Sequence, residues 1–404
     1  MAALLSAPGR ELLDRLSGQD VTPDRALRLA QQLRGSYPPD LVAAALTQQA
    51  LRISGREKFS EADSMLFTRA GLEQASSELA ARHSARRFGQ FSTVADLCCG
   101  IGGNLAALAA GSRVLAVDRD LTSLEFARHN AAVGGARHPV LAVCADVREL
   151  VVGAAPGPAP TRPGRPGWPG HPARLGIDAV FIDPARRIGD RRLRAGRSEP
   201  PLDWCLRLTS WTPAVCIKAA PGLPRDLVPP GWEIEFLSVG RGLKEALLWS
   251  PALASTPRRA TILPGGDTLT PEPGAEVPVA APGEFLLDPN PAVTRAGLVE
   301  DLARGLGAWK IDPMIAFLSA DREVRTPFAR TLRVLESMPW NEKQAARRLR
   351  ELGIGAADIR RRGLAGDVEE IRRRLRLRGE RRATIVLTRR QDRPWGLICA
   401  SLDS

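Results

Sequence analysis

Short apolar segments that alternate with helical patterns constrain the fold of this chain more than any other feature. Seven such segments lie between residues 93 and 249, at 93–97, 113–117, 140–143, 179–182, 214–217, 233–237 and 246–249. Strands that alternate with helices form a parallel, doubly wound sheet, because each crossover helix returns the chain to the same sheet edge. The sequence therefore predicts an α/β domain, with its last two strands as a candidate antiparallel edge.

The flanking regions follow other patterns. Residues 1–90 are predicted to be helical, with an N-cap, a first-turn proline and an acidic side chain at 22–24 and further helices at about 39–53 and 61–82. The α/β domain is assigned to 91–263. Within it the Pro/Gly-rich stretch 153–174 predicts a disordered insertion.

A second Pro-rich stretch, 264–282, predicts a linker to a separate α/β module at 283–404. The module combines helical and alternating patterns. Its predicted helices are 291–305, 326–336, 341–352 and 367–378, and its predicted strands are 383–388 and 395–400.

Composition excludes several classes of protein. The chain has no run of about 18 apolar residues and no basic segment followed by an apolar one at its start, which favours a cytoplasmic enzyme without membrane spans. Its six cysteines have no C-x-x-C spacing, so neither a structural zinc site nor a disulfide framework is expected.

Positive charge is concentrated near the C-terminus. The net charge is +12, and 341–393 holds 17 basic and 8 acidic residues. A surplus of this kind favours a polyanionic partner. Aromatic side chains for base stacking are scarce there, with Trp340 and Trp395 the candidates, so a nucleic-acid partner would be recognised by its shape and backbone more than by stacking of single-stranded bases. The alternative is that these arginines solvate a helix face and pair with nearby glutamates.

A glycine-rich turn follows the first predicted strand. Residues 94–104 read Val-Ala-Asp-Leu-Cys-Cys-Gly-Ile-Gly-Gly-Asn, and glycine lets the backbone approach a ligand closely. A dinucleotide fingerprint would need a glycine in place of Leu105. With Asp96 before the turn, the pattern instead resembles motif I of class I S-adenosylmethionine methyltransferases, in which an acidic residue faces the cationic methionine end of the cofactor.

Two more acidic residues follow the next two predicted strands. Asp118 suits the ribose hydroxyls and Asp146 the adenine amino group. Each alone is typical of a solvated strand end, but three in register favour one nucleoside site. The predicted S-adenosyl-L-methionine site consists of Asp96, Leu97, Cys98, Gly100, Gly102, Asn104, Asp118, Arg119, Asp146, Val147 and Asp183.

The fourth predicted strand ends in Asp183-Pro184-Ala185-Arg186, at the edge where open α/β folds place chemistry. Amino-methylating relatives carry Asp/Asn-Pro-Pro-aromatic there, so Ala185 and Arg186 weaken methylation of a base nitrogen without excluding it. Carbon-5 methylation needs a thiolate, and Cys216 lies inside a predicted strand, where packing is the more common role.

A basic loop that could hold an RNA backbone follows the fourth predicted strand. Its arginines are Arg186, Arg187, Arg191, Arg192, Arg194 and Arg197. A solvated loop is the alternative.

Methylation of a ribose 2′-hydroxyl is the other possibility. Enzymes of that kind position and deprotonate the hydroxyl with a Lys-Asp-Lys-Glu tetrad, and Lys58, Asp183, Lys218 and Glu245 fall at matching places. The plainer interpretation is a Lys218–Glu245 salt bridge and a surface Lys58. The candidate catalytic residues are Asp183, Pro184, Lys218, Glu245 and Lys58, and both acceptors stay open.

Four segments together are similar to a bacterial family of class I methyltransferases with a C-terminal THUMP-like domain. They are 96–103, 181–187, 218–222 and 287–293. The resemblance implies a Rossmann-like sheet, S-adenosyl-L-methionine as cofactor and RNA as partner. The first hypothesis is therefore an RNA methyltransferase. The alternatives are a methyltransferase for small molecules or proteins, and an inactive RNA-binding module.

Overall fold

The computed structural model describes residues 2–151, 176–185, 187–188, 191–192, 198–364 and 366–402. The insertion predicted at 153–174 lies outside these residues, as do Arg186, Arg194 and Arg197 of the predicted basic loop. The chain forms two compact units. Unit 1 comprises Met1–Ile234 and Lys244–Pro257, and unit 2 comprises Glu235–Leu243 and Arg258–Ser404. The domain limits given above stay predictions.

The first ninety residues are helical. The helices there are α1 (Ala7–Leu16), α2 (Pro23–Leu33), α3 (Pro39–Gly55), α4 (Arg69–Gln74) and α5 (Glu78–Ala85). The single helix predicted at about 61–82 is wrong. Thr68 and Ser77 each accept a hydrogen bond from a backbone N–H three residues on, so each caps a separate helix. Buried leucines of α1 and α3, such as Leu12 and Leu41, form the core of this region.

All seven predicted strand segments form strands. In chain order the strands are β1 (Thr93–Leu97), β2 (Arg113–Asp118), β3 (Val140–Cys144), β4 (Ala179–Ile182), β5 (Arg187–Ile188), β6 (Arg191–Arg192), β7 (Ala214–Ala219), β8 (Glu233–Val239) and β9 (Gly242–Trp249). The helices between them are α6 (Leu105–Ala109), α7 (Leu121–Val133), α8 (Val147–Val151) and α9 (Leu202–Leu206).

The sheet of unit 1 has the neighbour order β9-β7-β4-β1-β2-β3. Neighbours from β7 to β3 are parallel, and β9 pairs antiparallel with β7. In register, Leu97 lies beside both Val117 and Ile182, and Ile182 lies beside Ile217. Because the strands are parallel and in step, the residues that follow β1, β2, β3, β4 and β7 meet at one edge of the sheet.

Unit 2 contains a β-hairpin, a larger sheet and four helices among its described residues. The hairpin pairs β10 (Arg258–Leu263) with β11 (Asp267–Leu269). The sheet consists of β12 (Phe285–Pro289), β13 (Trp309–Lys310), β14 (Leu318–Ala320), β15 (Ala329–Pro339), β16 (Ile354–Arg361), β17 (Arg381–Arg390) and β18 (Arg393–Ser401), in the order β13-β14-β12-β15-β18-β17-β16. The helices are α10 (Pro291–Ala296), α11 (Val299–Leu306), α12 (Glu342–Glu351) and α13 (Val368–Leu375).

The helix predicted at 326–336 is wrong, because this stretch forms most of β15. β15 pairs with β12 on one side and β18 on the other, so sheet pairing over a long sequence separation outweighs the local pattern.

The predicted linker 264–282 includes β11 and the buried Val277. Within the described ranges, no helix has the length and apolar character that crossing a membrane requires.

Candidate active site

A pocket of about 440 Å³ opens at the carboxyl edge of the parallel strands of unit 1. This volume suits a small-molecule ligand. Its walls come from the glycine-rich turn, from the residues that follow β2, β3 and β4, and from 68–76 in the helical region.

The glycine-rich turn after β1 depends on left-handed backbone conformations. Cys98, Gly100 and Gly102 have φ values of 58°, 53° and 83°. A Cβ on Gly102 would lie 3.0 Å from the Ala127 Cα of α7, so this glycine lets turn and helix approach closely. A Cβ on Gly100 would meet no atom within 4 Å, which leaves open space beside the backbone at the pocket wall.

Asp96 is a buried acid on the pocket wall. It is 1% exposed, and neither carboxylate oxygen has a hydrogen-bond partner among the described residues. Burial raises the pKa of Asp96 well above its ordinary value, and the negative charges of Asp183 and Asp118 raise it further. The positive charge of Lys218 partly offsets these effects. A cation bound beside Asp96 would stabilise its ionised form.

Asp118 fastens the glycine-rich turn to β2. Its Oδ2 accepts a hydrogen bond from the Gly100 N–H at 2.8 Å, and its Oδ1 accepts one from the Asp120 N–H at 2.9 Å. Each oxygen can accept a further bond. Asp118 and the adjacent Arg119 both line the pocket.

Asp146 is held by an arginine that the sequence analysis did not single out. Arg148 donates from Nη2 to Asp146 Oδ2 at 2.6 Å and from Nε to Oδ1 at 3.0 Å. These hydrogen bonds lower the pKa of Asp146. Arg148 Nη1 also lies 2.7 Å from Glu199 Oε1. All three side chains and Val147 line the pocket, so an ion pair runs along its wall where the adenine contact was predicted.

Asp183 joins the pocket to a buried charge cluster. The Lys218 Nζ of β7 lies 2.7 Å from Asp183 Oδ2 and 3.7 Å from Glu245 Oε2 on β9. The Ser76 hydroxyl donates to Glu245 Oε2 at 2.8 Å. Lys218 and Glu245 are only 3% and 2% exposed, whereas the Asp183 side chain keeps 25% of its surface. Asp183 is therefore the member of the cluster that lines the pocket.

Lys58 does not join this cluster. Its Nζ donates to the backbone carbonyls of Leu72, Glu73 and Ala75, at 2.6, 3.1 and 3.0 Å. It thus satisfies the carbonyl groups at the end of α4, where a helix leaves acceptors without partners. The pocket wall includes neither Lys58 nor Lys218 nor Glu245.

The other predicted residues divide into two groups. Those on the pocket wall are Asp96, Cys98, Gly100, Asn104, Asp118, Arg119, Asp146, Val147, Asp183 and Pro184. Leu97 is fully buried in β1, and Gly102 packs against α7. Both support the turn without lining the pocket.

Sequence reasoning missed the wall formed by the helical region. Thr68, Gly71, Gln74 and Ser76 line the pocket, but their segment was predicted as the middle of one helix. Gly71 offered a weak signal, because a glycine inside a predicted helix often has a packing reason. A Cβ there would lie 2.4 Å from an Ile101 side-chain atom, and this contact, between residues 30 apart in the sequence, cannot be read from local periodicity.

A protein of Mycobacterium tuberculosis, found in two strains, is 37% identical to this chain over 331 residues. The match covers 80% of this chain and 84% of the relative, which is named an uncharacterized S-adenosylmethionine-dependent methyltransferase. The chain belongs to the S-adenosylmethionine-dependent methyltransferases. The predicted family, enzyme class and cofactor are thereby confirmed.

Further comparisons concern parts of this methyltransferase and its fold. Family models match at 1–53 (a domain of unknown function), 91–159 (RNA cap guanine-N2 methyltransferase) and 329–401 (THUMP domain-like). The crystal structure of a candidate methyltransferase from Porphyromonas gingivalis W83 superposes with a TM-score of 0.74 at 20% identity, over 97% of both chains. The predicted class I fold with a C-terminal THUMP-like domain is confirmed.

The pocket fits S-adenosyl-L-methionine. The two Asp96 oxygens without partners suit the cationic methionine end of the cofactor, because a buried carboxylate is stabilised by an opposite charge. The open space at Gly100 lets the ligand contact the backbone. We propose that Asp96 binds the methionine end and that Asp118 binds the ribose hydroxyls.

Cofactor binding should therefore release a proton. Between the ordinary carboxyl pKa of 3.8 and the raised pKa of Asp96, the free protein holds this proton, whereas the bound cation favours the carboxylate. We expect affinity for S-adenosyl-L-methionine to increase with pH through this window and to level off above it. Calorimetry in buffers of different ionisation enthalpy measures the released proton.

The matched variant is Asp96→Asn, which keeps the shape of the side chain and cannot ionise. Its cofactor affinity should be lower and should not vary with pH in this window. Equal proton release by the two proteins would show that another group accounts for the effect.

Proposed function

We propose that this methyltransferase methylates a base nitrogen in structured RNA. The observation that carries the proposal is the position of Asp183, which follows β4 on the wall of the cofactor pocket with Lys218 at 2.7 Å behind it. A carboxylate so placed can accept a hydrogen bond from an amine at the methyl donor.

The main contribution of the protein to this reaction is to position the acceptor nitrogen beside the methyl group. S-adenosyl-L-methionine supplies an electrophilic methyl group on its sulfonium sulfur, and a nitrogen–carbon bond forms as the sulfur–carbon bond breaks. Asp183 would accept a hydrogen bond from the acceptor N–H, which turns the nitrogen lone pair toward the methyl carbon. The proton that the methylated nitrogen gives up can pass to Asp183 or to water. The Lys218 ammonium, 2.7 Å from Asp183 Oδ2, holds the Asp183 carboxylate in place for this role.

Two observations favour nitrogen over the ribose oxygen. A lysine base must reach the hydroxyl, but Lys218 is buried between two carboxylates and Lys58 binds three backbone carbonyls. The family model that matches 91–159 is described as an RNA cap guanine-N2 methyltransferase, and N2 of guanine is an exocyclic amine.

RNA is favoured as the substrate by the C-terminal part of the chain. The THUMP domain-like match at 329–401 overlaps the segment with 17 basic and 8 acidic residues. On α13, Arg372 and Arg374 pair with glutamates of the same helix, and the exposed Arg373, Arg376 and Arg378 lie beside them. Exposed arginines can contact RNA phosphates, and the affinity that such contacts give falls as the salt concentration rises.

Transfer of a labelled methyl group tests the proposal. The purified enzyme, incubated with radiolabelled S-adenosyl-L-methionine and RNA from a strain that lacks the gene, should label the RNA. Nuclease digestion and mass spectrometry should then find the label on a base nitrogen. Label on a 2′-O-methylribose would contradict the nitrogen assignment, and label only in protein or small-molecule fractions would contradict RNA as the substrate.

A further inference from the structure

A half-buried group of arginines in unit 2 surrounds a single carboxylate. Asp288, at the end of β12, is 5% exposed. Arg241 Nη2 lies 2.7 Å from its Oδ2, and Arg362 Nη2 lies 2.8 Å from its Oδ1. Arg330 is the cross-strand neighbour of Asp288 on β15. One negative charge is thus shared by two guanidinium groups, with a third beside it.

The positive charge of a fourth arginine, Arg360, also acts on this group. Burial lowers the pKa of Arg241, Asp288 raises it, and the positive charges of Arg360, Arg330 and Arg362 lower it again. Arg360 also lowers the pKa of Arg362. These four arginines, with Asp288 as the carboxylate among them, carry a net charge of +3. Like charges held this close favour the binding of an anion.

The group borders an open depression of about 520 Å³ on unit 2. Arg241, Arg330, Asn290 and Ser401 line it. Arg330 Nη2 lies 3.4 Å from the Ser401 hydroxyl oxygen. Guanidinium groups and a hydroxyl at one concave surface provide hydrogen-bond donors suited to phosphate oxygens.

The turn that carries Arg241 is fixed in place. Gly240, at a φ of 54°, accepts a hydrogen bond on its carbonyl from Asn290 Nδ2 at 2.9 Å, and its N–H donates to the Leu263 carbonyl. Arg241 Nη1 also lies 3.3 Å from the Asp288 carbonyl oxygen. The guanidinium of Arg241 is therefore oriented before any ligand binds, which reduces the entropy lost on binding.

We propose that Arg241 and Arg330, which line the depression, form a binding site for the phosphate backbone of the RNA substrate. The proposal rests on the proposed function and adds to it. Arg330 and Arg360 lie within the THUMP domain-like match at 329–401, whereas Arg241 comes from a segment about ninety residues earlier. The site thus combines the THUMP-like domain with the β8–β9 turn of the same compact unit. Arg360 and Arg362 do not line the depression, but their positive charges act on Arg241 and add to the attraction for an anion.

The test uses the double variant Arg330→Gln, Arg360→Gln, because neither residue forms an ion pair with Asp288 that the fold depends on. Fluorescence anisotropy with bulk transfer RNA, a readily purified structured RNA, measures binding over a series of salt concentrations. We expect about tenfold weaker binding and a log Kd against log salt slope reduced by about 1 to 2. In turnover assays KM for RNA should rise while kcat at saturating RNA stays the same.

The matched control is Arg25→Gln, Arg207→Gln, which removes the same charge from two exposed arginines of unit 1 that pair with aspartates. It should bind RNA like the unchanged protein. Equal affinities and salt slopes for the two double variants would overturn the phosphate site. If the unchanged enzyme binds RNA through these arginines but methylates none, the proposed function fails and the site stands. Thermal unfolding verifies that both variants are folded.

Discussion

Replacing Asp183 with asparagine should lower the rate of methyl transfer by about a hundredfold to ten-thousandfold, a range typical of losing a group that manages a proton in the transition state. Asparagine keeps the shape of the side chain, but its amide accepts a hydrogen bond more weakly and cannot take up a proton. Because Asp96 and Asp118 hold the cofactor in our proposal, affinity for S-adenosylhomocysteine should change by only about twofold to threefold, well under 1.4 kcal/mol.

The measurement is single-turnover methyl transfer at saturating cofactor and RNA, with cofactor affinity from calorimetry. Asp226→Asn is the matched control, since Asp226 is an exposed aspartate of the same unit outside the pocket. A rate for Asp183→Asn within a few-fold of the control would remove Asp183 from the chemistry.

Replacing Lys218 with methionine should both destabilise the protein and slow the reaction. Methionine has a similar volume, but the change leaves Asp183 and Glu245 as neighbouring carboxylates without their shared cation. Removing one partner of a buried ion pair typically costs about 3–5 kcal/mol of unfolding free energy. The rate of transfer should also fall, because Asp183 loses the ammonium group that holds its carboxylate in place. Chemical denaturation and single-turnover assays measure the two effects.

A second variant separates stability from positioning. The double variant Lys218→Met, Glu245→Gln removes one of the two carboxylates that lost their cation, so it should recover part of the lost stability. It should not recover the rate at neutral pH, because Asp183 still lacks its cation. Recovery of the rate together with stability would mean that Lys218 serves the fold alone.

The sequence predicted the sheet of unit 1 far better than unit 2, and the reason lies in the kind of contact involved. Each strand of a parallel sheet is a short, continuously apolar segment, so Ala179–Ile182 could be recognised from its own residues. β15 carries a mixed burial pattern along 11 residues, and its pairing with β12, about forty residues away, decides its conformation. No local pattern carries that information.

The same distinction applies to the pocket. Asp96, Gly100 and Asp118 lie at strand ends, where chain order and topology together place them on the pocket wall. Lys58 matched the spacing of a catalytic tetrad, but it binds the carbonyls of 72, 73 and 75, whose position depends on the break between α4 and α5. The Ser76–Glu245 hydrogen bond joins residues 169 positions apart and could not be anticipated.

That hydrogen bond has a consequence for how small the enzyme could become. Thr68, Gln74 and Ser76 precede every strand of the sheet, yet they form one side of the pocket, and Ser76 also donates a hydrogen bond to the buried Glu245. A fragment that begins at β1 would keep the glycine-rich turn and the acidic residues at the strand ends. Its pocket, however, would be open to bulk water on the side that 68–76 form. We therefore expect the shortest active fragment to include residues 68–76 as well as the sheet of unit 1.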